Sequence, residues 1–241
     1  MTEQFAAARR SAARSADGPE MLAVQLSMAC VDVLPVDGAG ISVFSSRTFR
    51  APIGASNPGV AAAERLQFTT GEGPCLSAHA SGDALVASES DMQARWPAFH
   101  AELVSGTPFR AIASFPLKDG LFGLGALDLY FRVAARLDQL RWEEAGAVAA
   151  LVAQTLAEQP FRATLSGEPA PDWLESPLAV DRTMVSIAMG MLTVAAELSF
   201  GDALAVLRAH AFGTNRTVDE VSADVVHRSL PIDDLDLTYQ R

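Results

Sequence analysis

The chain has 241 residues, 49% hydrophobic and 20% charged, with a net charge of −11. That length allows one or two domains with a buried core, and the acidic balance excludes a protein that grips nucleic acid or an anionic membrane by bulk charge. Two cysteines, Cys30 and Cys75, exclude a disulfide-stapled secreted scaffold and lead us to expect a cytoplasmic protein.

Residues 1–18 are rich in Ala, Arg and Ser and end at Asp17-Gly18-Pro19, which predicts a flexible, frayed or partly helical tail. Arg9, Arg10 and Arg14 precede no apolar run, so no secretory leader is expected. Nor does any stretch reach eighteen uninterrupted apolar residues, so no membrane contact is expected.

Residues 19–160 predict one α+β domain. A buried helix spans Glu20 to Leu34, stopped by Pro35 and Asp37-Gly38. Strands follow over Gly40 to Phe44 and Thr48 to Ile53, joined by a turn at Ser45-Ser46-Arg47. Gly54 to Gly73, rich in Gly, Ala and Pro, reads as irregular. It leads into Gly71-Glu72-Gly73-Pro74, where Pro74 suits the first turn of a short helix.

A third strand is expected over Ala84 to Ala87, and Trp96-Pro97-Ala98-Phe99 opens another short helix. Strands over Arg110 to Leu117 and Leu121 to Phe131 are joined through Lys118-Asp119-Gly120, the Asp-Gly pair being a strong hairpin signal. A long helix then runs from Arg136 or Asp138 to Ala157, closed by Pro160. This order predicts a central antiparallel sheet flanked by helices.

Residues 161–177 hold Pro169, Pro171 and Pro177 and read as a Pro-rich linker, with Trp173-Leu174 packed on a neighbouring domain. Residues 178–230 read as a small all-α unit of three helices. The first, Val180 to Glu197, is apolar on most sides. The second opens at Ser199-Phe200-Gly201-Asp202, and the third at Thr217-Val218-Asp219-Glu220, a capping box. A C-terminal tail, 231–241, follows.

Arg182, Ala188-Met189-Gly190, Ala203-Leu204, Leu207-Arg208, Thr214-Asn215-Arg216, Val221 and Val225 together resemble the ANTAR domain, a three-helix RNA-binding module of bacterial antiterminators. The sequence departs from that family's usual basic content, with Met189 before the first helix's glycine and Thr217 after the Asn-Arg pair. Across 178–230 four arginines face six acids, a net of −2. RNA contact therefore has to rest on a few residues that stack on or hydrogen-bond bases. The resemblance implies an RNA hairpin as partner, with Arg182, Gly190, Arg208, Thr214, Asn215, Arg216 and Arg228 as contact residues. Without RNA contact, the three helices read as a docking or dimerisation bundle.

Asp37-Gly38-Ala39-Gly40, Gly71-Glu72-Gly73-Pro74-Cys75-Leu76, Arg95-Trp96-Pro97-Ala98-Phe99 and Gly123-Leu124-Gly125-Ala126-Leu127-Asp128-Leu129 resemble a GAF domain, and GAF followed by ANTAR is a known arrangement in actinobacterial regulators. The resemblance implies sensing or dimerisation by the first domain and RNA contact by the second. Its ligand cleft would lie between the sheet and the Cys75 and Trp96 helices, lined by Cys75, His79, Trp96, Phe99, Phe115 and Tyr130; the aromatic residues read equally as core.

Cys75 and His79, four apart, share a helix face, but two ligands are too few for a metal site, and a structural cysteine with an ordinary histidine accounts for the pair. Cys30 alone does not supply the partners that thiol redox chemistry requires, so no enzyme activity and no cofactor are expected. Gly123 and Gly125 read as strand glycines rather than a phosphate loop. A homodimer is expected through the apolar helix after Val180 and through Val148, Leu151, Val152 and Leu156 as a helical seam.

Overall fold

Period-two alternation along five strands gives this protein a sheet with two differently built faces. The computed structural model describes residues 1–44, 50–118, 123–159, 161–163 and 169–235. The strands are β1 (Gly38–Phe44), β2 (Arg50–Ala55), β3 (Leu85–Ser88), β4 (Ala111–Lys118) and β5 (Gly123–Phe131). They pair antiparallel in the order β2-β1-β5-β4-β3. The expected turns at Ser45-Ser46-Arg47 and Asp119-Gly120, and the expected strand starts at Thr48 and Leu121, lie outside the described residues.

One sheet face carries Ile41, Ile53, Ala113, Phe115, Leu127 and Leu129, all in one apolar core. It is covered by α2 (Leu22–Val33) and α7 (Trp142–Ala157), and by α1 (Thr2–Ala12) through Phe5. Residues 1–18 thus depart from the flexible tail: Thr2–Ala12 is helical, and Phe5 and Ala12 are buried, Phe5 in the apolar core of this face. The α7 side chains Val148, Val152 and Leu156 are buried in this same core. They are already satisfied within the chain and do not form the expected intermolecular seam.

The other face is covered by α3 (Pro58–Thr70), α4 (Pro74–Ser81), α5 (Glu89–Arg95) and α6 (Pro97–Gly106). The expectation of irregular chain over 54–73 is corrected by α3. Asn57 accepts a hydrogen bond from Val60 N–H, Pro58 occupies the first turn, and Gly71 ends the helix at φ 72°. Those start and stop signals outweigh the local Gly and Ala content because each satisfies backbone groups left open at a helix end. A capping box between Ser88 and Asp91 likewise starts α5, which composition alone did not indicate. The expected long helix begins at Trp142, because 134–139 winds as a 3-10 turn.

Within 161–177, β6 (Phe161–Ala163) pairs with β7 (Pro169–Pro171), and a 3-10 turn covers Asp172–Glu175. Trp173 is buried in the first core and its indole N–H donates to the Leu156 carbonyl at 3.4 Å, as the packed tryptophan led us to expect; Leu174 beside it is exposed.

Three helices follow: α8 (Pro177–Ala195), α9 (Phe200–Gly213) and α10 (Val218–Val226). Ser176, Ser199 and Thr217 cap them, the last in a complete capping box with Glu220. Their core is Val185, Ala188, Leu192, Ala203, Leu207, Ala211, Val221 and Val225. By length and composition α8 is apolar enough to cross a membrane, because its two charges, Asp181 and Arg182, lie in its first turns. One of its faces is buried in the three-helix core.

Gly125 in β5 lies against β1, where an added methyl group would be driven into the Ser42 carbonyl. A Gly125→Ala substitution is expected to lower stability by about 1–3 kcal/mol through overpacking against backbone that has no room to move, read as an earlier thermal midpoint than that of Gly106→Ala, whose added methyl meets nothing within 4 Å.

Candidate functional site

The face covered by α3 and α4 places a charged network where a core of apolar residues would be the simpler solution. Arg50 enters from β2, Ser42 from β1, Ser114 from β4, and Asp128 and Tyr130 from β5. Glu64 and Gln67 enter from α3, and all seven side chains are buried. Arg50 pairs with Glu64, lies 3.6 Å from Asp128, and donates to the Glu64 carbonyl at 2.6 Å.

Glu64 also accepts from Ser42 and Tyr130 hydroxyls, each at 2.7 Å. Asp128 accepts from Ser114 at 2.6 Å and from the Gln67 amide at 2.8 Å. The oxygen of that amide accepts from the Cys75 backbone N–H at 2.9 Å. Arg50 Nε lies 3.1 Å from Cys75 Sγ. Such burial persists only because every charge is paired and hydrogen-bonded.

The network holds one cation and two carboxylates, and its protonation follows from that imbalance. Burial alone would lower the Arg50 value, yet the facing Cys75, Glu64 and Asp128 groups raise it. Burial pushes the Cys75 thiol well up, with Arg50 pulling it down. The Asp128 carboxyl is pushed up to about 7 by burial and by Glu64, against the pull of Arg50.

The residues expected to line a ligand cleft are thereby divided. Trp96, Phe99 and Tyr130 share a buried cluster with Val60, Met92 and Phe109. Cys75 lies in the charged network, and His79 stacks on Phe44 with ring centroids 3.7 Å apart. Phe115 is on the opposite sheet face, 4.6 Å from the Trp142 ring; it cannot line that cleft, because odd positions of β4 face α2 and α7. Cys30 sits in α2 on that opposite side, so the two free thiols are separated by the sheet.

The residues expected to meet RNA are also divided. Thr214 and Asn215 are exposed on the turn after α9, and Arg228 is exposed after α10. Gly190 lies on open α8 surface. Asn215 at φ 53° has a structural task too: it ends α9 in the left-handed region, letting Arg216 N–H reach the Ala211 carbonyl at 2.9 Å. Arg216, partly exposed, pairs with Asp224 at 2.6 Å.

Arg182 and Arg208 face inward instead. Arg182 is 2% exposed, 3.1 Å from the Asp219 carboxylate. Its guanidinium lies 3.6 Å from the centroid of the Phe68 ring, and that of Arg208 lies 5.0 Å away. Arg208 also donates to the Phe68 carbonyl at 3.0 Å. Burial lowers both arginines to about 10, with Asp219 pulling Arg182 back up. Phe68 belongs to α3 of the α+β domain, yet it completes the core of the three-helix bundle.

Arg50, Glu64, Gln67, Phe68 and Asp128 were not among the site residues read from the sequence. A signal was present for two of them: Arg50 and Asp128 are lone charges among apolar residues in expected strands. For Glu64, Gln67 and Phe68 the signal was lost with α3, since three residues gain a common meaning only once they lie on one helix.

The raised Asp128 value has a consequence for pH. An unfolded aspartate releases its proton near about pH 4, while the folded protein holds this one to about pH 7. Its contribution to stability is therefore fully present below pH 4 and lost as pH rises through 7. Asp128→Asn, which has no proton to release, is expected to gain stability relative to the wild type as pH rises from 4 to 7.5; denaturant midpoints of the two proteins that move in parallel across that range would refute it.

No protein-family model matches the chain, and no curated protein does. Among solved structures, the chain is similar to the GAF domain of a phosphoenolpyruvate-protein phosphotransferase from Coxiella burnetii, with a TM-score of 0.44 and 13% identity over 64% of this chain and 94% of that one. It is similar to a GAF domain region from Geobacter sulfurreducens PCA, with a TM-score of 0.41 and 14% identity over 61% of this chain and 97% of that one. It is also similar to the chromophore-binding domain of a bacteriophytochrome from R. palustris, with a TM-score of 0.36 and 12% identity over 64% and 57% of the two chains.

Proposed function

We propose that this chain is a non-enzymatic, signal-responsive regulator in which a GAF-type α+β domain controls an ANTAR-type bundle that binds an RNA hairpin and favours transcription antitermination. The observation that carries the reading is the turn after α9. Thr214, Asn215 and Arg216 project there between two capped helices, at the spacing that resembles the RNA-binding family. Asn215 presents an amide able to read a base edge, and Arg216 stands beside it to meet phosphate. The acidic balance of the bundle supports selective rather than bulk contact, since few phosphates can be neutralised.

A second reading is favoured by the pairing of Arg216 with Asp224 and by the inward-facing Arg182 and Arg208. In it the bundle serves protein contact and the first domain senses a small molecule. The two readings separate in one assay: binding of a structured-RNA pool across a salt series by the wild type, Arg216→Ala and Asn215→Gly. Glycine keeps the left-handed turn while deleting the amide, so loss of binding there reports contact rather than misfolding. The RNA reading expects saturable binding that both variants weaken at least tenfold, with a salt slope no steeper than about −0.7 per arginine engaged. A folded protein that binds RNA at low salt neither as the wild type nor as Phe68→Ala, which removes the ring beneath Arg182 and Arg208, decides for protein contact.

Homodimerisation is part of the same proposal and rests on α8. Val180, Ile187 and Val194 are exposed at seven-residue spacing, with Met184 and Met191 partly exposed between them. That is the period of a two-helix seam. Ile187→Glu is expected to shift the protein from dimer to monomer in equilibrium sedimentation at micromolar concentration, and a monomeric wild type removes the dimer.

A further inference from the structure

The helix α3 touches both halves of the molecule with different faces. Glu64 and Gln67 enter the charged network against the sheet. Arg65, Phe68 and Thr69, rotated by about 100° on the same helix, meet the three-helix bundle. Arg65 pairs with Asp181 of α8 at 2.6 Å. Thr69 Oγ1 accepts from the Val218 backbone N–H at 3.2 Å, satisfying one of the open amides at the start of α10. Phe68 is fully buried beneath the guanidinium groups of Arg182 and Arg208.

Every bundle helix is therefore held by α3. The cost falls on two of the bundle's four arginines, Arg182 buried and Arg208 half-buried, and both rest on a ring from the other domain. A cation over an aromatic face is favourable, most of all when desolvated. Yet Arg182 keeps unmet hydrogen-bonding capacity: none of its three guanidinium nitrogens has a partner of good geometry, despite the nearby Asp219 carboxylate. Opening of the contact would return these donors and the Asp219 carboxylate to water. A cleft of about 440 Å3 already lies along the contact, lined by Arg65, Glu102, Asp181, Met184, Asp219 and Glu220.

We propose that α3 is an autoinhibitory latch: with Phe68 seated, Arg182 and Arg208 are withheld, and undocking of α3 frees both for RNA phosphate. The inference rests on the RNA-binding reading of the bundle. The network on the other face of α3 is the place where a signal acts, because Arg50, Glu64 and Asp128 fix the position of the same helix. A ligand or partner that prefers a rearranged network biases the latch toward the open state by its difference in affinity for the two states.

The test compares the full-length wild type with Phe68→Ala, and reads amide hydrogen exchange alongside binding of a pool of structured RNA hairpins. The latch predicts that amides of α8 and α10, including that of Val218, exchange at least tenfold faster in the variant while those of β1, β4 and β5 keep their protection. It also predicts that RNA is bound at least tenfold more tightly, and that adding Arg182→Ala and Arg208→Ala to the variant abolishes the gain. Released bundle amides with RNA affinity equal to that of a binding wild type overturn the latch and leave the RNA reading standing. RNA bound by neither protein, with the amides released, overturns the RNA reading and the latch with it. If the sheet amides of Phe68→Ala lose protection as well, the comparison passes to the double variant Arg65→Ala, Thr69→Val. It removes only the ion pair and the amide cap, and at least threefold faster exchange with threefold tighter binding is expected; unchanged RNA affinity there overturns the latch.

Discussion

The arrangement of this molecule depends on one buried cation shared by two carboxylates. Arg50 cannot leave the interior without stranding Glu64, and Glu64 cannot leave without stranding Arg50, with Asp128 3.6 Å away as the second acid facing the cation. Removing one partner of such a set is far more damaging than replacing the whole set by apolar residues, because it leaves an uncompensated charge in a low-dielectric site. What the network provides is position: it fixes α3 against the sheet through groups with demanding geometry, where an apolar contact would tolerate sliding.

That fixed helix then decides the relation between the two halves. Phe68 projects from α3 at an angle set by Glu64 and Gln67, and it fills the bundle core between Arg182 and Arg208. Trp173 pins the connecting segment to the first core in a second, independent contact. Residues 171–177 are therefore anchored just before α8, and the bundle is seated rather than tethered. The charged network on the sheet and the core of the bundle are separated by a single helix, and α3 contributes side chains to both.

The bundle itself shows how a local rule and a functional reading compete for the same residue. Asn215 ends α9 in a left-handed conformation that asparagine tolerates better than most residues, and Arg228 at φ 61° likewise ends α10, letting Ser229 N–H reach the Asp224 carbonyl at 2.9 Å. Arg228 is exposed there, beside a chain segment otherwise short of free positive charge.

Much of this was determined locally and was legible without coordinates. The caps at Ser199 and Thr217, the strand alternation, the packed tryptophan of the connecting segment and the glycines of β5 each follow from backbone hydrogen bonding or pleat geometry within a few residues. Even α3 carried its signals, Asn57-Pro58 at one end and Gly71 at the other, though the Gly- and Ala-rich composition between them masked the helix. What only the tertiary structure decided is which charges become interior. Arg50 pairs with Glu64 and Asp128 from distant parts of the chain, and Phe68 meets Arg182 and Arg208 more than a hundred residues later. Those partnerships depend on which faces of sheet and helix are brought together, and burial then converts ordinary surface residue types into fixed, desolvated ones; no period or motif in the chain encodes that step.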